Sequence, residues 1–240
     1  MNESNLKLGG NIKQYWNNFP VRGRIYTNYE DELRHAIKLD PFYKRLIDSI
    51  SLKNKVVLDL GCGQGVWSYY MSKKAKRVVG LDISSESINL AKKKYNNLRL
   101  KSPITFNVYD GLKIPYENNS FDVVASLGVI HHAVNDLKLV EEAYRVLERG
   151  LFVGAVYRKN SPGFFVRNFV SRQKYLEKLL KPGTKNTFLA EIMLCPLARH
   201  YSVSEWKMNL ESAGFRHNNI WGDYCGLERY LPIVGYIWTG

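Results

Sequence analysis

Lys55-Val56-Val57-Leu58-Asp59-Leu60-Gly61-Cys62-Gly63-Gln64-Gly65-Val66 is the stretch that decides the fold. Val56 to Leu60 is a short, mostly apolar run of the kind that forms a strand buried on both faces, and a glycine cluster stops it. A helix is expected to follow from about Val66 to Lys74. Glycines between such a strand and helix let the chain turn tightly and bring its backbone against a ligand at the helix N-terminus. A dinucleotide fingerprint requires a third glycine where this chain has Val66. Asp59, at the strand end, is a poor neighbour for a diphosphate, so the spacing favours a cationic or zwitterionic ligand over an anionic one.

Outward from this stretch the same alternation repeats. Arg77 to Asp82 reads as a second strand, and Ser84-Ser85-Glu86-Ser87 offers serine N-caps for a helix running toward Tyr95. Ile104 to Val108 reads as a third strand and Phe121 to Ser126 as a fourth. Leu137 to Leu147 reads as an amphipathic helix and Leu151 to Val156 as a fifth strand. This spacing implies right-handed crossovers and a parallel sheet covered on both faces. Upstream, Asn28 to Leu39 and Pro41 to Ile50 predict two helices, with Pro41 opening the second. Downstream, Phe164 to Leu180 is expected to be helical between Ser161-Pro162-Gly163 and Lys181-Pro182-Gly183. Val203 to Ala213, Gly214 and Phe215 to Trp221 read as helix, cap and strand, and Gly235 to Trp238 as an edge strand.

The predicted fold class is therefore α/β: a doubly wound, mostly parallel, seven-stranded Rossmann-like sheet with an N-terminal helical cover and a helical insertion after the fifth strand. Four segments follow: the cover at 1–52, a ligand-binding core at 53–157, a basic and aromatic insertion at 158–200, and the C-terminal part of the fold at 201–240.

Composition bounds the function. The 240 residues include 45% hydrophobic side chains, enough for a proper core, and the pattern excludes disorder, collagen and coiled coil as the main architecture. The first twenty residues lack a basic region followed by an apolar one, and no run of about 18 uncharged apolar residues occurs. A soluble, cytoplasmic protein is expected. Cys62, Cys195 and Cys225 lack metal-ligand spacing and are odd in number, which indicates neither a disulfide framework nor a structural zinc. The net charge is +13, and more than half of it lies in 158–185, where eight basic residues face Glu177 alone.

Asp82 ends the second strand, 21 residues after Gly61, where a carboxylate can accept hydrogen bonds from both hydroxyls of a ribose. Asp110 follows the third strand, placed to meet an adenine edge. This set resembles the class I S-adenosylmethionine-dependent methyltransferases, in particular the small-molecule subgroup called type 11. The resemblance runs over about residues 53–156, through Phe121-Asp122-Val123-Val124-Ala125-Ser126, Val129-Ile130-His131-His132 and Glu142-Ala143-Tyr144-Arg145-Val146-Leu147. It implies S-adenosylmethionine as cofactor, with Gly61 and Gly63 holding its methionine and adenosine parts, Asp82 the ribose, and Asp110 with Gly111 the adenine. Asp59, Cys62, Ile83 and Leu127, beside these positions, complete the expected cofactor-binding set. One departure is the turn before the fifth strand, where the family has Lys-Pro-Gly-Gly and this chain has the shorter Glu148-Arg149-Gly150, expected to form a tighter turn.

Methyl transfer needs alignment above all, and a base only where the acceptor must lose a proton. His132 and His131 follow the fourth strand, near the expected methyl position. Either they supply that base, His132 being favoured, or they only hydrogen-bond the backbone. Cys62, with no paired base named, reads as a small residue tolerated by the turn rather than a nucleophile. Tyr15-Trp16, Tyr26 and Tyr29 form either an aromatic lid over the cofactor or ordinary packing. The basic insertion is a substrate cap, a contact for an anionic membrane through 158–185, an RNA contact, or a solvated helix with one buried face. The expected reaction is methyl transfer to a small-molecule acceptor of metabolite, quinone, sugar or lipid type. The alternatives are an RNA methyltransferase, although the sequence motifs of base methylation are absent, and a non-catalytic relative. No metal is expected.

Overall fold

The structure, a computed structural model, describes residues 3–18, 26–96, 98, 102–159, 195–216, 219–224 and 234–239. Its helices are α1 (Glu3–Asn18), α2 (Tyr29–Leu39), α3 (Pro41–Asp48), α4 (Val66–Ser72), α5 (Ser85–Tyr95), α6 (Asp136–Val146) and α7 (Val203–Ser212). Its strands are β1 (Val56–Leu60), β2 (Arg77–Asp82), β3 (Ile104–Val108), β4 (Phe121–Leu127), β5 (Leu147–Tyr157), β6 (Asn219–Tyr224) and β7 (Val234–Thr239). They lie in the order β3-β2-β1-β4-β5-β7-β6. β1 to β5 pair in parallel, and β7 and β6 continue the sheet antiparallel.

Alternation within the parallel strands divides the core in two. Val57, Val78, Val123 and Val153 face one side, with Phe42, Leu46 and Tyr69 from the helices there. Leu58, Val79, Val124 and Phe152 face the other, with Val140, Trp206 and Leu210. Covered on both faces, these strands need apolar residues at consecutive positions, which is why they read as unbroken runs. The helices start where their caps direct: Asn28, Ser84, Asn135 and Ser202 each accept a backbone N–H of the first turn, and Ser202 with Glu205 forms a capping box.

Four expectations change. The segment before α2, read only as a cover, contains the 16-residue helix α1, which accommodates Gly9 and Gly10. The turn expected at Glu148-Arg149-Gly150 lies inside β5, which follows α6 without a loop. The β4–β5 register shifts between Phe121 and Val123, Arg149 takes a φ of 43°, and a Cβ on Gly150 would stand 2.2 Å from the Asp122 carbonyl. Phe215 is buried in the second core rather than starting a strand, and β6 begins at Asn219. Finally, β7 is not the edge: it sits between β5 and β6. The helix expected over Phe164 to Leu180 lies outside the described residues.

The resemblance segment Glu142 to Leu147 has a structural role. The Glu142 carboxylate takes a two-pronged contact from Arg145 and the Ile114 N–H, while Arg145 donates to the Ile114 and Tyr116 carbonyls. Arg145 and the Ile114 N–H hold the Glu142 carboxyl below its usual range. The pair thereby ties α6 to the loop before β4.

Candidate active site

The site forms at the carboxyl ends of β1, β2, β3 and β4. At the first, Gly61, Gly63 and Gly65 adopt φ values of 79°, 54° and 86°. The Gly61 and Cys62 N–H groups both donate to the Leu81 carbonyl, at 2.7 and 3.0 Å, binding the loop to β2. Gly65 caps α4, and a Cβ there would lie 2.8 Å from the Tyr29 hydroxyl. Gln64 is buried beneath the loop, within 3.4 Å of the Lys94 Nζ.

Asp82 is placed by the loop as much as by its own strand. One carboxylate oxygen accepts the Gly63 N–H and the other the Ser84 N–H, each at 2.8 Å. Each oxygen keeps lone-pair capacity for one more donor, the arrangement that two ribose hydroxyls require. Burial raises the Asp82 carboxyl above its ordinary range, against the pull of these N–H groups. Asp59 lies deeper and accepts the Ser68 hydroxyl at 2.5 Å. Burial lifts its carboxyl to about 7; the Ser68 hydroxyl opposes the rise and nearby Asp82 adds to it. Two carboxylates held above their normal range favour a cation, which restores their ionisation.

The Asp59 shift has a sign that can be measured. Its folded value lies above its ordinary 3.8, so between about pH 4 and 7 the folded state binds more protons than the unfolded one. The stability Asp59 contributes is therefore fully present below that window and falls as pH rises through it. Urea unfolding of wild type and Asp59→Asn across pH 4–8 should show the difference in stability moving against wild type as pH rises. A difference independent of pH would contradict the shift.

At the end of β3, Asp110 closes a turn: one carboxylate oxygen accepts the Leu112 and Lys113 N–H groups at 2.8 and 3.0 Å. Gly111 has a φ of 78°, and a Cβ there would stand 3.1 Å from the Ile83 side chain. Ile83 and Gly111 thus face each other between the ends of β2 and β3. Cys62 is buried, which pushes its thiol well above the ordinary range; such a thiol is not a nucleophile. Leu127 ends β4 partly buried, and Gly128 beyond it has a φ of 78° with the Tyr43 hydroxyl 2.8 Å from where a Cβ would stand.

The histidines occupy a 3₁₀ turn, Ile130–His132. His131 is fully buried, its ring 4.1 Å from that of His132 and 3.9 Å from that of Tyr157. His132 Nδ1 lies 2.7 Å from the Leu197 carbonyl. A carbonyl only accepts, so Nδ1 carries the proton and Nε2 of the neutral ring is the basic nitrogen. Trp16 of α1 meets His132 edge-on at 5.1 Å. Two residues of α1 also reach the end of β2: the Ser84 hydroxyl donates to the Trp16 carbonyl at 3.2 Å and to Asn17 Oδ1 at 3.0 Å.

The structure therefore brings Asp59, Gly61, Cys62, Gly63, Asp82, Ile83, Asp110, Gly111, Leu127, His131 and His132 to one edge of the sheet. Of the two alternatives for Tyr29, lid or packing, it shows packing. Tyr29 is buried, stacks on Tyr69 at 4.9 Å and donates to the Ala91 carbonyl, while Tyr26 pairs with His35. Tyr157 and residues 195–201, none named for the site although the sequence predicts 158–200 to cap the substrate, join it through contacts from distant parts of the chain. Most of the basic insertion, on which the membrane and RNA alternatives rest, lies outside the described residues. Among those described, no helix is long and apolar enough to cross a membrane, and no group of three or more His, Cys, Asp or Glu could hold a metal.

A glycine loop after the first strand, with acids ending the second and following the third beside a 3-2-1-4-5 run of parallel strands, is the α/β arrangement of the methyltransferase fold. Comparison agrees: residues 58–153 match the family described as a methyltransferase domain. It is 26% identical over 184 residues to ajmaline N-methyltransferase of Rauvolfia serpentina, covering 68% of this chain and 59% of that protein. It is 32% identical over 133 residues to demethylmenaquinone methyltransferase of Oceanobacillus iheyensis, covering 52% and 55%. The matches thus span somewhat more than half the length of these two relatives. A solved Pyrococcus horikoshii protein shares the fold at a TM-score of 0.61 and 21% identity, over 95% of this chain and 97% of its own.

Proposed function

We propose that the chain transfers the methyl group of S-adenosylmethionine to a small-molecule acceptor, by in-line displacement at the sulfonium, with His132 as base. The observation that supports this best is the order of groups along one sheet edge: Asp59 and the Gly61–Gly65 loop, Asp82, Ile83 facing Gly111 beside Asp110, and His132 after β4. The donor set suits the cofactor: Asp82 can hold ribose hydroxyls, Ile83 and Gly111 can flank an adenine, and Asp59 and Asp82 suit a cation. Bound there, S-adenosylmethionine supplies a methyl group already activated on a good leaving group.

The chain's own work is alignment, which can contribute about 7–11 kcal/mol, and proton removal, worth roughly a hundred- to ten-thousand-fold. Both rings are buried; His132 is favoured over His131 because its basic nitrogen is fixed as Nε2. Trp16, edge-on to His132, closes this end of the site from α1.

Calorimetry of S-adenosylmethionine with wild type and Asp82→Ala tests the reading. Two hydrogen bonds to a carboxylate, at about 1.5–3 kcal/mol each, correspond to a loss of at least about a hundredfold in affinity. Equal affinity in the variant would remove Asp82 from the site, and no binding to wild type would remove the cofactor.

A further inference from the structure

We propose that Arg199 is a positioning residue for His132, acting through the Leu197 carbonyl to fix which ring nitrogen is basic. An imidazole in solution exchanges its proton between two nitrogens, and the group facing Nδ1 makes the choice. Here that group belongs to a strap, residues 195–201, which lies against the turn carrying the histidines. Nδ1 faces the Leu197 carbonyl at 2.7 Å and the Cys195 sulfur at 3.3 Å; the thiol directs its proton to the Leu197 carbonyl at 3.2 Å, which leaves Nδ1 as the donor. Nothing in the sequence around His132 itself supplies this acceptor.

Arg199 laces the strap to the turn on both sides of His132. Its backbone N–H donates to the His131 carbonyl at 2.8 Å. Its guanidinium donates to the Ala133 carbonyl and, at 2.8 Å, to that of Val134. Asp136 stands 3.6 Å from the guanidinium and accepts the Tyr201 hydroxyl at 2.5 Å, anchoring the strap's far end. A planar fork can reach two successive carbonyls at once, which a lysine ammonium does less well. Without the fork, Leu197 is no longer held opposite Nδ1, and the proton redistributes toward Nε2, where it blocks the base.

This rests on His132 being the base, yet the tautomer can be read without turnover. Full-length protein labelled with 15N-histidine would be studied by long-range ring correlations, with His132→Gln giving the assignment. Wild type should show His132 protonated on Nδ1. Arg199→Met should lower that population by about twofold or more as the Nε2-protonated form appears, and Arg199→Lys should recover part of it. Should Arg199→Met not fold, Asp136→Asn is the milder case, expected to shift the tautomer in the same direction. Nε2 protonation in wild type, or an unchanged population in the folded variants, would overturn the proposal. Undiminished turnover in His132→Gln would remove the base reading alone and leave the tautomer result standing.

Discussion

Gly61→Ala is expected to cost about 2–5 kcal/mol of folding stability and to weaken S-adenosylmethionine binding in proportion to the loop's displacement. At a φ of 79° an added Cβ would stand 2.3 and 2.4 Å from the two methyls of Val129. Left-handed backbone costs about 1–2 kcal/mol in a residue with a side chain, and overpacking about 1–3 kcal/mol more. The damage spreads because the turn is shared. Its N–H groups bind the Leu81 carbonyl of β2, and two residues on the Gly63 N–H holds Asp82, so a shift at Gly61 misplaces the Asp82 carboxylate. The two contributions separate in part in Gly61→Ala/Val129→Ala, which removes both methyl clashes, leaves the Val129 Cβ 2.8 Å away and keeps the strained φ. Urea unfolding should recover the methyl part only, and complete recovery would show that the backbone conformation carries no cost.

Lys94→Met and Glu32→Leu should each destabilise the protein by about 3–5 kcal/mol, while the double replacement comes close to wild type. Lys94 on α5 and Glu32 on α2 form an ion pair with both side chains buried. Burial holds the Glu32 carboxyl above its ordinary range and the Lys94 ammonium below its own, so each charge depends on the other to remain. Removing one leaves the other unpaired in a dry setting; removing both restores apolar contact beside the Tyr29 ring, over which Lys94 lies at 4.6 Å. A double-mutant cycle by urea unfolding measures the coupling, and additive losses would contradict it. Because Lys94 also reaches Gln64 beneath the glycine loop, Lys94→Met should loosen cofactor binding as well.

Most of the cofactor edge was legible because its signals are local. A strand buried on both faces must be mostly apolar, a loop at positive φ selects glycine, and an acid at a strand end stands beside that loop. Val56 to Asp82 therefore read nearly as it folds. The features that escaped depend on residues distant in the chain. Trp16 meets His132 across 116 positions, and the acceptor for His132 Nδ1 comes from Leu197, 65 residues downstream. Tyr29 read equally as lid or packing because its sequence does not show that Tyr69 and the Ala91 carbonyl enclose it. The placement of β7 inside the sheet escaped for the same reason: antiparallel pairing on β5 is settled by the whole sheet edge, and Gly235 to Trp238 carries no mark of its neighbours. Gly9 and Gly10 lower helix propensity enough to hide α1.

Helix α1 touches both ends of the site, with Ser84 bound to Trp16 and Asn17 after β2 and His132 beneath the Trp16 ring after β4. A nucleoside held at Asp82 would share its residence time with these contacts, since Ser84 also presents its N–H to the Asp82 carboxylate. On that reading, release and recharging would depend on how often α1 lifts, a clock separate from the chemistry at the methyl group.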